Sequence, residues 1–338
     1  MVGFEASKER TLSKMDFLAA GCVSGFFSRA CVQPLDVVKV RFQLQVEPIS
    51  GLESSSKYRS CLQAIRCITA EEGFSAFWKG HLSSQLLAVS FSGTQFAAFE
   101  IYTYWWSTLL LHNTNNQQPY PLSPLPNFLC GSLAGITGGT ITQPLDVLKT
   151  RFIAQGEPRT YKNLNDAVVS IMRKDGITGF FRGLSPSLLL IAPQTGLQFS
   201  IYKLVNRLVD IFTNDAKESL DRSTPLRVKS IGALQNISAG AIAGMVSKCA
   251  VYPMDVAKKR LQVQGFEEAR CRFGRLHSSS SLRDCIITMC REEGPSSLFK
   301  GLSPSLLKAC VSIGVRFGVY EEVCSLLSSH HKGRLLKP

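Results

Sequence analysis

The chain has 338 residues, of which 45% are hydrophobic, and this apolar content excludes an intrinsically disordered protein. Its mean hydropathy of +0.07 is low for a membrane protein, because few stretches offer about 18 uninterrupted apolar residues. The net charge of +13 is spread along the chain, which argues against nucleic acid as the partner and favours anionic lipid or an anionic substrate.

Long helical segments alternate with short ones along the chain. Apolar spacing predicts short helices over residues 58–71, 165–174 and 282–291. Polar loops or tails are expected at 1–14, 46–56, 113–121, 213–229, 265–281 and 330–338. Between them we predict long helices over residues 13–45, 80–111, 125–154, 183–212, 231–264 and 301–328.

The first long helix carries a P-x-D-x-x-K-x-R motif that recurs twice. Its prolines, Pro34, Pro144 and Pro253, are 110 and 109 residues apart (144 − 34; 253 − 144). A Gly-x-x-x-Gly pair precedes each proline at a constant distance, which indicates a threefold repeat. Each proline should kink its helix, and an Asp and a Lys three residues apart share one helix face. Three such helices could therefore close a ring in which each acid meets the base of the next helix.

This motif resembles that of the mitochondrial carrier family over nearly the whole chain. The resemblance implies an all-α membrane protein of the mitochondrial inner membrane, with six transmembrane helices in three tandem pseudo-symmetric repeats and short matrix helices. The repeats are expected at 13–112, 125–213 and 230–329, and they would form a monomer around a central cavity. The resemblance also implies a matrix gate of three ion pairs, Asp36–Lys149, Asp146–Lys258 and Asp255–Lys39. Glutamines brace such pairs in the family, and here Gln43 and Gln262 match that position whereas Ile153 does not.

The cytoplasmic gate of the family is less regular in this sequence. The matching positions hold Glu100, Lys203 and Glu321, so the second copy has a base where the acid belongs. The bases that complete the family pattern are absent from all three copies. We expect a weak gate in which Lys203 pairs with one of the two acids, and the alternative is that all three are ordinary interfacial charges.

An aromatic–base–glycine triplet opens each even-numbered transmembrane helix. The bases and glycines are Lys79 and Gly80, Arg182 and Gly183, and Lys300 and Gly301. The resemblance implies that cardiolipin head groups dock here, since a helix N-terminus offers free N–H groups to phosphate. The alternative is an interfacial aromatic residue beside a base that reaches toward the membrane surface.

Four bases lie at positions that should be inside the membrane. A charge at that depth costs about 2.5–3.5 kcal/mol on insertion scales, so these side chains should face a water-filled interior. Without a matching deep acid they predict a substrate that carries several negative charges, such as phosphates, unless they serve only structure. The four bases are Arg29, Lys248, Lys308 and Arg316.

The family's substrate contact points on the even-numbered helices add an apolar wall to this cavity. At these positions the chain has Leu87, Ala88, Leu190, Ile191, Lys308 and Ala309. Gln95 and Gln198 could read the polar edge of a ring, and Phe91 could stack on the ring or serve in packing. Together these residues suit a ligand with a hydrophobic ring at one end and an anionic group at the other.

Several local stretches, among them Lys300-Gly-Leu-Ser-Pro-Ser-Leu-Leu-Lys308, resemble one branch of the family. This resemblance implies that thiamine pyrophosphate is imported into the matrix by alternating access, in exchange for a nucleotide. Cavity chemistry alone leaves a nucleotide or coenzyme A as the alternative substrate. The sequence has no P-loop, no zinc-protease motif and no metal-like spacing of its eleven cysteines and five histidines, so we expect neither an enzyme nor a cofactor. A proton leak or a membrane scaffold is the other alternative.

Overall fold

A computed structural model describes residues 13–47, 56–111, 124–157, 159–191, 225–266 and 281–335, with scattered positions between 193 and 207. The regular structure of these residues is helical. In chain order the helices are α1 (Lys14–Leu44), α2 (Cys61–Glu72), α3 (His81–Leu111), α4 (Pro124–Ala154), α5 (Leu164–Asp175), α6 (184–191, continuing through the described positions to 207), α7 (Pro225–Val263), α8 (Leu282–Glu292) and α9 (Leu302–Leu335).

Two of these helices are longer than the sequence predicts. α7 begins at Pro225 rather than near 231, because proline is well tolerated in the first turn of a helix, where its missing N–H is not needed. α9 continues to Leu335 rather than ending near 328. The described residues include two helical stretches, Met15–Leu44 and Pro295–Ser329, that are long and apolar enough to cross a membrane.

Each repeated proline lies inside its helix, and the polar residue before it anchors the neighbouring element of the same repeat. Gln33 Nε2 donates to the carbonyl oxygen of Lys79 at 3.1 Å, and Gln143 Nε2 donates to that of Arg182 at 2.9 Å. In the third repeat Tyr252 donates its hydroxyl to the carbonyl of Lys300 at 3.1 Å. The proline region of α1, α4 and α7 is thereby joined to the start of α3, α6 and α9, respectively.

The glycine of each triplet ties one repeat to the next. Gly80, Gly183 and Gly301 have φ values of +76°, +75° and +82°, a region that side chains with a Cβ rarely adopt. A Cβ on these glycines would lie close to the backbone carbonyl oxygen of a motif lysine in the next repeat. The distances are 3.1 Å to Lys149, 3.1 Å to Lys258 and 2.9 Å to Lys39. Only glycine satisfies both the backbone angle and this close approach.

The long helices pack in adjacent pairs and converge at one end. The most extensive helix contacts among the described residues are those of α3 with α4 and of α1 with α9, whereas α1, α4 and α7 meet one another more locally. Buried residues such as Val37, Leu148 and Val263 form a core where the latter three helices meet. Large apolar side chains such as Val89 and Phe96 are exposed, as expected of a surface that faces lipid.

The Gly-x-x-x-Gly pairs behave differently in the three repeats. In the second repeat a Cβ on Gly135 would lie 3.4 Å from Ile191, so a neighbouring helix does pack against it. The pairs of the first and third repeats have no atom of the described structure within 4 Å of the Cβ position. Among the described residues, close packing of a neighbouring helix at a Gly-x-x-x-Gly pair is therefore seen in the second repeat.

Candidate functional site

The acids and lysines of the repeated motif meet where α1, α4 and α7 converge. Lys149 Nζ lies 2.9 Å from Asp36 Oδ2, and Lys258 Nζ lies 2.8 Å from Asp146 Oδ2. The third pair joins Lys39 Nζ to Asp255 Oδ2 at 2.7 Å. These are the three pairs expected from the sequence, and we call them the gate pairs. They close a ring because each acid contacts the lysine of the following repeat.

Two glutamines hydrogen-bond to the gate acids. Gln43 Nε2 donates to Asp255 Oδ2 at 3.3 Å and to the Tyr252 hydroxyl at 3.1 Å. Gln262 Nε2 donates to Asp146 Oδ2 at 2.8 Å. The third position holds Ile153, which is fully buried and has no polar atom to offer. The two glutamines are those named from the sequence, and their role as braces of a gate stays a prediction.

A fourth lysine, Lys259, also reaches the gate, and sequence reasoning missed it. Its Nζ lies 2.9 Å from Asp146 Oδ1, so this acid has a separate lysine on each oxygen. The signal that could have found it is the doubled lysine Lys258-Lys259, since the corresponding residues after Lys39 and Lys149 are Val40 and Thr150.

A cavity of 370 Å³ lies directly against the gate, within the roughly 300–1,000 Å³ typical of small-molecule sites. Asp146 and Lys258 form part of its floor, so the gate pair is exposed to whatever occupies the cavity. Polar side chains, including Ser92 and Thr142, interrupt the apolar lining. The cavity brings together six of the residues predicted to contact the substrate, namely Arg29, Leu87, Ala88, Phe91, Leu190 and Ile191.

Phe91 has two kinds of contact in this cavity. It lines the cavity, and its ring also lies 3.4 Å from where a Cβ on Gly138 of α4 would stand. Packing between α3 and α4 therefore accounts for part of its position. The cavity-facing part of the ring remains available for stacking.

The other predicted contacts do not line the cavity. Gln95 packs toward Gly135 and Gly138, Gln198 is exposed, and Ala309 is half-buried on α9. Lys248 is half-buried and interacts electrostatically with Lys39 and Asp255 of the gate. Arg316 is exposed and its charge acts on Arg29.

Lys308 is held by an acid, which corrects the expectation of four deep bases without a counter-charge. Its Nζ forms an ion pair with Asp36 Oδ1, while Lys149 occupies the other oxygen. The sequence did not reveal this contact because Asp36 had been assigned only to the gate. Lys308 thus lies at the gate rather than on the open wall of the cavity.

Two of the residues expected in the cytoplasmic gate, Glu100 and Glu321, lie on described parts of α3 and α9. Glu100 and Glu321 are exposed, and neither forms an ion pair with another residue that the structure describes. Lys203 lies outside the described residues. The pairing of Lys203 with either acid therefore stays a prediction.

Two of the triplet bases, Lys79 and Lys300, turn toward the protein interior and not toward the membrane surface, whereas 32% of the Arg182 side chain is exposed. Lys79 Nζ lies 2.6 Å from Glu72, and Lys300 Nζ lies 2.6 Å from Glu293. Both side chains are buried, with 6% of each exposed, because an acid at the end of the preceding short helix pairs with them. A phosphate at these helix starts would therefore have to be bound chiefly by backbone N–H groups.

The last arginine of each motif completes a second charged ring below the gate. Arg41 pairs with Glu72, Arg151 with Asp175, and Arg260 with Glu293. Each arginine also donates to backbone carbonyl oxygens at the end of the motif helix of the next repeat. Arg260, for example, donates to those of Gln43 and Gln45 at 3.0 Å. These bonds satisfy carbonyls that a helix terminus leaves without partners. Although the motif arginines recur in the sequence, their acids could not be identified from it.

Outside the membrane-spanning helices, Glu72 shows the electrostatic effect of this ring. Burial disfavours its charged form, but hydrogen bonds from Arg41 and Lys79 outweigh that effect and hold the pKa of Glu72 below its usual value. The carboxylate therefore remains ionised between its two bases at neutral pH.

The similarity of this chain to known proteins extends over all three repeats. A family model described as Mitochondrial carrier protein matches residues 11–108, 120–211 and 229–331. The mitochondrial thiamine pyrophosphate carrier of Bos taurus is 43% identical over 332 residues, which cover 98% of each chain. That of Homo sapiens is 41% identical, covering 96% of this chain and 97% of the relative. The mitochondrial thiamine diphosphate carrier 1 of Arabidopsis thaliana is 34% identical, covering 90% and 91%.

Proposed function

Because the chain belongs to the mitochondrial carrier family, we propose that it imports thiamine pyrophosphate into the matrix by alternating access, in exchange for a nucleotide. As a member of this family it is a multi-pass transporter of the mitochondrial inner membrane and not an enzyme. The observation that carries the substrate is the full-length similarity to relatives named as carriers of thiamine pyrophosphate.

The chemistry of the cavity supports this substrate. Leu87, Leu190 and Ile191 offer an apolar wall for the aromatic end of the molecule, and Phe91 offers a ring face. Arg29 lies in the same cavity, and its guanidinium can bind phosphate oxygens in a bidentate manner. Lys308 would add a point charge to the pyrophosphate if it left Asp36.

The gate pairs support alternating access. Burying an ion pair costs nearly as much desolvation as its attraction returns, so a gate made of such pairs can open at modest cost. The substrate must interact more favourably with the state in which the gate opens, since a ligand that binds all states equally shifts none. Contacts with Arg29 and Lys308 would supply that difference. At the other end, Glu100, Lys203 and Glu321 would form a weaker cytoplasmic gate.

We assign cardiolipin to the starts of α3, α6 and α9, where the first N–H groups of each helix lack intrahelical partners. In this proposal Gly80, Gly183 and Gly301 let the backbone face the phosphate, while Lys79 and Lys300 contribute charge from the protein interior and Arg182 from a partly exposed position. The carrier works as a monomer, because one chain supplies all three repeats around the cavity. No nucleic acid takes part.

The test is uptake of labelled thiamine pyrophosphate into proteoliposomes loaded with a nucleotide. We expect saturable uptake by the wild type and at least a tenfold loss in Lys308→Ala, because about 1.5–3 kcal/mol of charged hydrogen bonding to phosphate is removed. Lys57→Ala is the matched control, since Lys57 pairs with Glu71 outside the cavity and uptake should persist. Good uptake of ADP or coenzyme A without uptake of thiamine pyrophosphate would keep the fold and replace the substrate.

A further inference from the structure

The three acids of the gate accept different numbers of side-chain donors from the motif helices α1, α4 and α7. We define a seam as the contact of two such helices at the gate. Among the described residues, Asp36 receives one side-chain donor across its seam with α4, namely Lys149. Asp255 receives Lys39 and Gln43 from α1. Asp146 receives three donors from α7, namely Lys258, Lys259 and Gln262, so the seam between α4 and α7 has the most bonds to its acid.

Lys259 is the donor that Asp146 has in addition to the lysine and glutamine that Asp255 also has. An ammonium group has three donors, and Lys259 Nζ has three oxygen partners, Asp146 Oδ1 at 2.9 Å, Thr150 Oγ1 at 3.0 Å and Gln262 Oε1 at 2.9 Å. Two of these partners lie on α4 and one on α7 itself. The side chain is 10% exposed, so the charge is buried yet fully satisfied while α4 and α7 remain together.

Separation of α4 from α7 would remove two of the three partners at once. Opening this seam therefore breaks two further hydrogen bonds from a charged group, and each of them adds to the cost of separation. The other repeats avoid this penalty, because Val40 and Thr150 occupy the same position six residues after the motif proline. The cost is therefore specific to one seam.

From this geometry we infer that Lys259 is a second lock on the matrix gate, which holds the seam between α4 and α7 closed until the other two seams have opened. The inference rests on the proposed transport by alternating access. Lys259 acts through Asp146 as a positioning residue and need not touch the substrate. Removing it should shift the carrier toward the state that is open to the matrix.

The experiment measures on which side of the membrane the cavity is accessible. Ser92, an exposed residue of α3 that lines the cavity, is replaced in Ser92→Cys within a chain whose native cysteines are changed to serine or alanine. A membrane-impermeant maleimide is then added to one side of oriented proteoliposomes without substrate. The compared variants are Lys259→Thr and Lys259→Val, which copy the residues of the other two repeats, and Lys57→Thr serves as the control.

We expect labelling from the matrix side to rise about fivefold or more in both Lys259 variants, as loss of a charged hydrogen bond predicts, and labelling from the cytoplasmic side to fall. Lys57→Thr should label as the parent does. A milder variant, Thr150→Val, keeps Lys259 but removes one of its partners together with the bond that Thr150 donates to Gln262, and it should give a smaller rise in matrix-side labelling. This variant tests the inference if the Lys259 variants do not fold, as judged by a lost unfolding transition.

Unchanged matrix-side labelling in folded Lys259 variants would overturn the inference, and so would unchanged labelling in Thr150→Val. Because the assay contains no substrate, it is independent of the assignment of thiamine pyrophosphate. If the carrier fails to transport thiamine pyrophosphate but shows the shift in labelling, the proposed substrate is wrong and the inferred role of Lys259 stands.

Discussion

Lys308 of α9 forms an ion pair with Asp36 of α1, so the lysine assigned to the substrate phosphates is bound to an acid of the gate. The second oxygen of Asp36 accepts from Lys149 at 2.9 Å. A phosphate that attracted Lys308 would leave Asp36 with only one of these lysines. If Lys308 binds the substrate phosphates, as we propose, substrate and gate compete for the same cation, which links binding to opening of the gate.

This competition separates the effects of two substitutions. Lys308→Met should reduce uptake of thiamine pyrophosphate at least tenfold while the free energy of unfolding changes by about 1 kcal/mol or less, since Asp36 keeps Lys149. Asp36→Asn should lower the free energy of unfolding by about 3–5 kcal/mol, because two lysines lose their buried counter-charge. Uptake and thermal unfolding of the two purified variants provide the measurement. Equal destabilisation by both would show that Lys308 serves structure alone.

Gly301 should tolerate no side chain. A Cβ there would lie 2.9 Å from the carbonyl oxygen of Lys39, and φ is +82°, so Gly301→Ala should lower the free energy of unfolding by about 1–3 kcal/mol. Gly318→Ala is the control on the same helix, because its Cβ would meet nothing within 4 Å and alanine favours the helix. Thermal unfolding in detergent compares the two, and a neutral Gly301→Ala would refute the close approach.

The second repeat exchanges the lengths of its acid and base relative to the other two. Asp175 pairs with Arg182 at 2.9 Å, where Glu72 pairs with Lys79 and Glu293 with Lys300. The shorter acid, Asp175, is therefore paired with the longer base, Arg182, whereas the other two repeats pair the longer glutamate with the shorter lysine. Arg182→Lys alone and Asp175→Glu alone should each destabilise the protein.

The double variant Asp175→Glu with Arg182→Lys restores the combination found in the other repeats. We expect it to recover stability, with a coupling free energy of about 0.5–3 kcal/mol between the two sites. The double-mutant cycle is measured by thermal unfolding of all four proteins. Additive effects would mean that the two side chains do not depend on each other.

Glu72 should make the protein sensitive to acid. Because its pKa is lowered in the folded state, its stabilising contribution is complete above the unfolded pKa of about 4.3 and is lost as pH falls through the lower folded value. In Glu72→Gln, stability should fall at neutral pH by about 3–5 kcal/mol, and the remaining loss below about pH 4.3 should be smaller than in the wild type.

The control for this prediction is Glu71→Gln. Glu71 pairs with Lys57 at a partly exposed site, where an ion pair contributes about 0–1 kcal/mol. Unfolding of the three proteins is followed from pH 7 to acid conditions. If acid lowers the free energy of unfolding of Glu72→Gln as much as that of the wild type, groups other than Glu72 cause the acid sensitivity.

The sequence by itself determined the three repeats, the helical fold, the gate pairs and the two glutamine contacts. These features follow from residues at constant offsets on one helix, and a threefold repeat brings the same face of each helix to the common centre. The cavity residues on α3 and α6 were predictable through the resemblance to the carrier family, which places its substrate contacts at fixed distances from the triplet glycines. Arg29 followed from the cost of leaving a charge in lipid.

Only the tertiary structure decided which acid each of the remaining bases meets. Lys308 and Asp36 are 272 residues apart and Lys259 and Asp146 are 113 apart, and both lysines depart from the threefold pattern, so no local offset predicts their contacts. Lys79 and Lys300 turn inward because the short helices place Glu72 and Glu293 beside them. Charge alone is visible in a sequence, whereas the partner that compensates it depends on how the helices pack.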